Sequence, residues 1–167
     1  MTTSTTPKSL TPDLCVKASM WAELLGCLKT KCAGRRESGA FLLGQIRSDG
    51  VRQVESVVLY DAIEPASFER FAVRMSPAGY SKLFGLCNER DQRVVADVHA
   101  HPRLAFQSPS DRANPLVPMV GHVALIVPNY AKHPVHLKDM TFNVYGGPGR
   151  WFSVTGPAVA NHLEIQP

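Results

Sequence analysis

Two histidines and an aspartate stand close together in the second half of this 167-residue sequence. His99 and His101 end an apolar, β-branched run, and Asp111 follows after a short loop. If the run is a strand, both imidazoles point to one face, because strand side chains alternate between faces. Two imidazoles and one carboxylate can be the three protein ligands of a zinc site that keeps a fourth position for water. A His-x-His pair at a strand end without any metal is the alternative interpretation.

The elements around these residues are predicted from local patterns. Residues 94–98 have the composition of a buried strand, and so do residues 122–127. Ser76 and Pro77 suit the N-cap and first position of a helix that leads into residues 94–98. His122 is expected to be a strand-edge histidine and not a metal ligand.

The first third of the chain is predicted to contain a helix and two strands. Ser19 is expected to cap the helix, and its buried face combines residues at helical spacing: Trp21, Leu24, Leu25, Leu28 and Cys32. Residues 40–46 and 51–63 are expected to form the strands, joined by a turn at 48–50.

Composition predicts one globular domain over residues 13–167 after a flexible segment at 1–12. Hydrophobic residues make up 44% of the chain, enough for one core. No apolar run approaches the roughly 20 residues that span a bilayer, and residues 1–12 lack the apolar core of a secretory signal. Four cysteines without a Cys-x-x-Cys pair favour a reducing, cytoplasmic location.

The net charge of +4 comes from one region. Residues 1–36 carry six basic and two acidic residues, while the remainder is balanced. A nucleic-acid-binding domain is expected to have a basic face spread over its surface, so this distribution counts against that class of partner.

The motifs together resemble the JAB/MPN metalloprotease family, also called JAMM. That family has a glutamate in a Glu-x-x-Gly-x-Leu-x-Gly-like context, then His-x-His-Pro, a loop and Ser-x-x-Asp. The matching segments, within a resemblance that covers about residues 14–155, are Glu37-Ser38-Gly39-Ala40-Phe41-Leu42-Leu43-Gly44, His99-Ala100-His101-Pro102 and Ser108-Pro109-Ser110-Asp111. Residues 107–115 and 121–128 resemble a bacterial branch that accompanies ubiquitin-like proteins and E1- and E2-like enzymes in operons, antiphage defence systems among them.

The loop before the serine differs from the family pattern. Six residues separate His101 from Ser108, where the family has seven. Ser110 follows a proline as in many members, but the residue three positions later is Ala113, which cannot bind a metal. Ser108 and Asp111 are therefore the aligned pair.

The resemblance implies a fold and a site. The fold is a single-domain, cytidine-deaminase-like α/β arrangement, with a mixed central sheet flanked by helices. One Zn²⁺ per chain is held by His99, His101 and Asp111. Glu37 is the general base, and Ser108 donates a hydrogen bond to the oxyanion. Ser108 fits a loop cap for Asp111 equally well.

The activity implied is cleavage of an isopeptide or peptide bond after the C-terminal tail of a ubiquitin-like protein, for deconjugation or precursor maturation. E1- and E2-like proteins are further expected partners, and no membrane partner is expected. The alternatives are a zinc peptidase of sulfur-carrier or small-amide metabolism, and a non-catalytic MPN scaffold.

Asp97 lies on the face of the two histidines and suits either an outer support of the metal site or a buried structural hydrogen bond.

Overall fold

The computed structural model describes residues 12–65, 68–69 and 72–167. The predicted flexible segment, apart from Pro12, lies outside these residues. The strands and helices are β1 (Leu14–Lys17), α1 (Ala18–Cys32), β2 (Ser38–Ile46), β3 (Arg52–Leu59), α2 (Tyr60–Ile63), β4 (Phe68–Glu69), β5 (Ala72–Val73), α3 (Pro77–Glu89), β6 (Arg93–Ala100), α4 (Pro109–Ala113), β7 (Val123–Val127), β8 (Thr141–Tyr145), β9 (Trp151–Thr155) and β10 (Leu163–Gln166). Short 3₁₀ turns occupy Asn129–Ala131, Leu137–Asp139 and Gly156–Asn161.

Eight of the strands form one mixed sheet in the order β10-β1-β3-β2-β6-β7-β8-β9. Strand β6 is antiparallel to β2 and parallel to β7, so it stands where the two kinds of pairing meet. Strands β4 and β5 pair separately as a short hairpin. The predicted mixed α/β architecture is confirmed.

The sheet is covered on both faces, and β2 shows why. Ala40 and Leu42 point into the larger core, which α1 closes, while Phe41 and Leu43 point into a second core against α2 and α3. All four side chains are fully buried. A strand buried on both faces carries continuous apolar sequence, as β2 does.

Helix α1 buries the five residues that the helical spacing predicted. The predicted N-cap at Ser19 is wrong. The helix begins at Ala18, and Lys17 occupies the cap position without a side-chain hydrogen bond. Lys17 is also the last residue of β1, and its extended backbone already has the conformation of a cap residue.

The strand predicted over 51–63 ends earlier than expected. It stops at Leu59, and residues 60–63 form the one-turn helix α2. This turn buries the Tyr60 ring completely, 4.8 Å from the ring of Phe41 between centroids. A Cβ atom at Gly39 would lie 2.3 Å from Tyr60 Cε2, so the ring occupies space that only glycine leaves open.

Helix α3 starts as its sequence predicts. The Ser76 side chain accepts a hydrogen bond from the Gly79 N–H at 3.1 Å, and Pro77 is the first helical residue. The chain continues from this helix into β6, whose last six residues are buried. Among the described residues, no helix is long and apolar enough to cross a membrane.

Candidate metal centre

Three strand ends meet at the edge of the sheet where His99 lies. Ser38 pairs with Ala100 and Gly39 with His99, so the beginning of β2 lies beside the end of β6. On the other side of β6, His99 pairs with Ile126 near the carboxyl end of the parallel strand β7. Ligands bind at such strand ends in open α/β sheets. The pairing brings Glu37, which directly precedes β2, to the histidines from sixty-two positions away.

The backbone of His101 is held although it lies just beyond β6. Its N–H donates to the Val127 carbonyl at 2.9 Å, and its carbonyl accepts from the Tyr130 N–H at 2.7 Å. The Phe106 ring meets the imidazole edge-on, with 5.9 Å between centroids. These contacts restrict the ring to the face that His99 also uses.

The short helix α4 positions Asp111 through a capping box. The Ser108 hydroxyl oxygen accepts from the Asp111 N–H at 3.1 Å, and the Ser108 N–H donates to Asp111 Oδ2 at 2.7 Å. The cap role considered for Ser108 is therefore present. The Ser108 hydroxyl also interacts with the Asp111 carboxylate and helps to lower its pKa, and a hydroxyl can donate a hydrogen bond as well as accept one.

The side-chain donor atoms converge. Nε2 of His99 lies 2.9 Å from Nε2 of His101, while Asp111 places Oδ1 3.8 Å from the first and Oδ2 3.3 Å from the second. Ligands about 2.0–2.1 Å from a tetrahedral zinc are separated by roughly 3.3 Å. These three side chains therefore have suitable atom types and separations to hold a metal ion.

Glu37 is the fourth member of the cluster. Its Oε1 lies 3.9 Å from His101 Nε2, and Glu37, His99 and His101 each offer a ligand atom within 4.8 Å of one another. The neighbouring Ser38 is buried and donates its hydroxyl to the Leu28 carbonyl at 3.0 Å, which anchors the chain on one side of Glu37. Glu37 can serve as a ligand or stand next to a bound ion.

The charges of the cluster change its ionisation. Burial alone would lower the pKa of His99, but the Asp111 carboxylate and other nearby acids outweigh it, and the pKa is raised. Burial would raise the pKa of Asp111, but its interactions with His101 and His99 hold the pKa well below its usual range. Burial raises the pKa of Glu37 despite both histidines. Two imidazoles thus stand in a negative environment that favours a cation.

A second polar group adjoins the cluster on β6. Asp97 accepts from the Tyr60 hydroxyl at 2.8 Å, and His122 Nε2 lies 2.6 Å from its other oxygen. Burial and the Asp97 carboxylate raise the pKa of Tyr60 well above its usual value, so the phenol stays protonated and donates. Of the two roles considered for Asp97, the structure supports the buried hydrogen bond. It also shows that His122 is a buried partner of Asp97.

A small pocket lies between these two groups. Its volume is about 30 Å³, and its walls include His99, Gln107, Asp111, His122 and Trp151. Sequence reasoning did not single out Gln107, Tyr60 or Trp151. Only the proximity of Gln107 to Ser108 in the chain could have drawn attention to it.

Comparison with known proteins adds a distant relative. A protein of Sinorhizobium fredii named probable metalloprotease y4jG is 22% identical over 121 residues, which cover 70% of this chain and 75% of that protein. No family model matches the chain. The alignment with this probable metalloprotease thus extends over most of the chain at low identity, and Glu37, His99 and His101 form a group that could hold a metal ion.

Two solved structures share the fold. Protein DSY2949 from Desulfitobacterium hafniense superposes with a TM-score of 0.61 at 13% identity, covering 85% of this chain and 90% of that one. A protein from Salinibacter ruber superposes with a TM-score of 0.57 at 17% identity, covering 92% and 90%. The arrangement of strands and helices is therefore one that these two proteins also adopt.

Proposed function

We propose that this protein is a zinc-dependent peptidase of the JAB/MPN type that cleaves after the C-terminal tail of a ubiquitin-like protein. One observation carries the proposal: Glu37, His99, His101 and Asp111 come together at one sheet edge from three separate segments. These are the residues that the family motif requires. The distant metalloprotease relative supports the peptidase part of the proposal.

Zinc is the metal that the donor set favours. His99, His101 and Asp111 would hold it, because two imidazoles and one carboxylate are a common catalytic ligand set for this ion. When bound, zinc supplies Lewis-acid activation of water and of a carbonyl group at neutral pH. Glu37 is not a metal ligand in this assignment.

Glu37 would move the proton. A general base works best when its pKa lies near the operating pH, and burial shifts the pKa of Glu37 in that direction. In this proposal its carboxylate takes a proton from the attacking water and passes it to the leaving amine. Ser108 keeps Asp111 in place through the capping box, and in this proposal its hydroxyl rotates to donate to the carbonyl oxygen of the bound substrate.

The substrate assignment rests on the motif resemblance and on the loop beside the site. Residues 102–107 expose Leu104 and Phe106, which are 74% and 55% accessible, and Phe106 also packs against His101. Exposed apolar side chains next to a reactive centre suit an extended protein tail. E1- and E2-like proteins of the same system are the further partners, and the free cysteines suit a cytoplasmic location.

The test is incubation of the zinc-loaded protein with a ubiquitin-like protein that carries a C-terminal extension, read by mass spectrometry. We expect cleavage after the tail, loss of cleavage with a chelator, and recovery when zinc is returned. A matched substrate with a scrambled tail is the control. Intact substrate at full zinc occupancy would contradict the proposal, and equal cleavage of the scrambled tail would exclude selectivity for a ubiquitin-like tail.

A further inference from the structure

The Gln107 side chain has an unmet hydrogen-bonding capacity. Its Oε1 atom is buried and has no hydrogen-bond partner. It is the single such side-chain oxygen or nitrogen atom among the described residues that are not surface-exposed. In folded proteins nearly all such atoms have a hydrogen-bond partner, because an unpaired one costs the full free energy of removing it from water. An unpaired buried atom therefore indicates a hydrogen-bond partner outside the chain or a functional role.

The position of Gln107 makes the exception informative. The residue lies in the wall of the small pocket that His99 and Asp111 also line. Its neighbours in sequence are both held, since Phe106 packs on His101 and Ser108 forms the capping box with Asp111. The amide therefore stands on a backbone that is fixed at both sides, directly beside the proposed reactive centre.

Several donors of the pocket are committed elsewhere. Asn114 Nδ2 donates to the Ser110 carbonyl at 3.0 Å, and Trp151 Nε1 donates to the Arg112 carbonyl at 3.1 Å. His122 directs Nε2 at Asp97. The donor for Gln107 would then come from a molecule that enters the pocket.

We propose that Gln107 is a substrate-positioning residue whose amide oxygen accepts a hydrogen bond from a backbone N–H next to the scissile bond. This role rests on the proposed peptidase function and deepens it. A peptide backbone offers a neutral N–H at almost every residue, and it needs little room. Such a group would reach Gln107 in the small pocket that His99 and Asp111 also line.

Two substitutions and a control test the role at equal zinc content. Gln107→Met removes the acceptor and keeps the length, while Gln107→Glu retains an acceptor oxygen. Gln166→Met, on the edge strand β10, is the matched control. The probe is the ubiquitin-like protein with a C-terminal extension, and kcat/KM and the melting temperature are measured for each variant.

We expect Gln107→Met to lower kcat/KM about tenfold, the scale of one lost hydrogen bond, while Gln107→Glu stays within about threefold of wild type. The melting temperature of Gln107→Met should equal or exceed that of wild type, because a buried unpaired atom is removed. A merely structural glutamine predicts a lower melting temperature.

Wild-type kcat/KM in Gln107→Met, or a lowered melting temperature with no rescue by Gln107→Glu, would overturn the role of Gln107 while leaving the peptidase proposal intact. Absence of cleavage by the wild-type protein at full zinc occupancy would instead overturn the peptidase proposal and this role with it. The two failures are therefore distinguishable.

Discussion

Two polar groups lie side by side on β6 and differ in how their hydrogen bonds are satisfied. Asp97 has both carboxylate oxygens engaged, one by Tyr60 and one by His122. Two residues later, His99 faces His101 with 2.9 Å between Nε2 atoms and carboxylates nearby. The first group is complete within the chain. The second gathers lone pairs that need a proton or a cation between them.

The two groups differ in what they are suited to do: the Asp97 group stabilises the fold, and the histidine cluster is suited to bind an ion. Both stand on the same face of one strand, and both are buried. Asp97 meets two donors supplied by the fold, so removing one of them leaves a buried acceptor without its partner. The imidazoles of the histidine cluster face mainly carboxylate oxygens, which are acceptors. Substituting one of these histidines should therefore affect a bound ion more than the stability of the fold.

Comparing His101→Ala with His122→Ala tests this distinction most directly. His101→Ala should lose most of the bound zinc and all cleavage, because it removes a ligand. His122→Ala should keep about one equivalent of zinc and lose roughly 1.5–3 kcal/mol of unfolding free energy, the usual scale for a hydrogen bond to a charged group. Elemental analysis and denaturant unfolding give the two quantities. A full equivalent of zinc in purified His101→Ala would refute the ligand assignment.

Glu37→Gln separates proton transfer from metal binding within the cluster. A carboxamide has nearly the shape of a carboxylate but cannot accept the proton, so turnover should fall about 10²–10⁴-fold with zinc retained. Glu23→Gln on the exposed side of α1 is the control and should cleave as wild type does. Cleavage and zinc content have to be measured on the same sample. Wild-type turnover in zinc-loaded Glu37→Gln would place the proton elsewhere.

Ser108→Ala and Ser110→Ala compare the two serines of the short helix. Ser108→Ala should lower turnover about a hundredfold through the lost oxyanion donor and cost about 1 kcal/mol through the lost cap. Ser110→Ala should change either quantity little. Turnover at equal zinc occupancy and thermal unfolding provide the measurements. A larger loss of turnover in Ser110→Ala would reverse the alignment of the motif.

The pH dependence of zinc binding should reveal the raised pKa of His99. A protonated imidazole cannot bind the metal. Because the pKa lies above the ordinary value of 6.5, affinity should begin to fall at a higher pH than for an unperturbed histidine. Below that pKa it should drop about tenfold per pH unit for one proton. Asp111 stays ionised throughout, since its pKa is lowered. Competition with a chelator between pH 5.5 and 8 measures the curve, and a flat curve down to pH 6 would contradict the raised pKa.

Local sequence patterns predicted the elements well where one residue controls a few neighbours. Ser76 caps α3 as expected, and the buried face of α1 follows the helical period. The predictions failed at Ser19 and at residues 60–63. In both places a tertiary demand prevailed: β1 runs directly into its helix, and Tyr60 turns inward to fill the space above Gly39.

The residue types of the candidate site and part of its geometry were determined by sequence alone. A strand period of two places His99 and His101 on one face, and a serine three residues before an aspartate can close a capping box. The tertiary structure decided the rest. The antiparallel register of β2 and β6 brings Glu37 to the histidines, and the packing of α2 gives Asp97 its Tyr60 partner. Strands β2 and β6 are far apart in the chain, so their register is fixed only when the core packs, and a slip of one residue would turn every side chain to the opposite face.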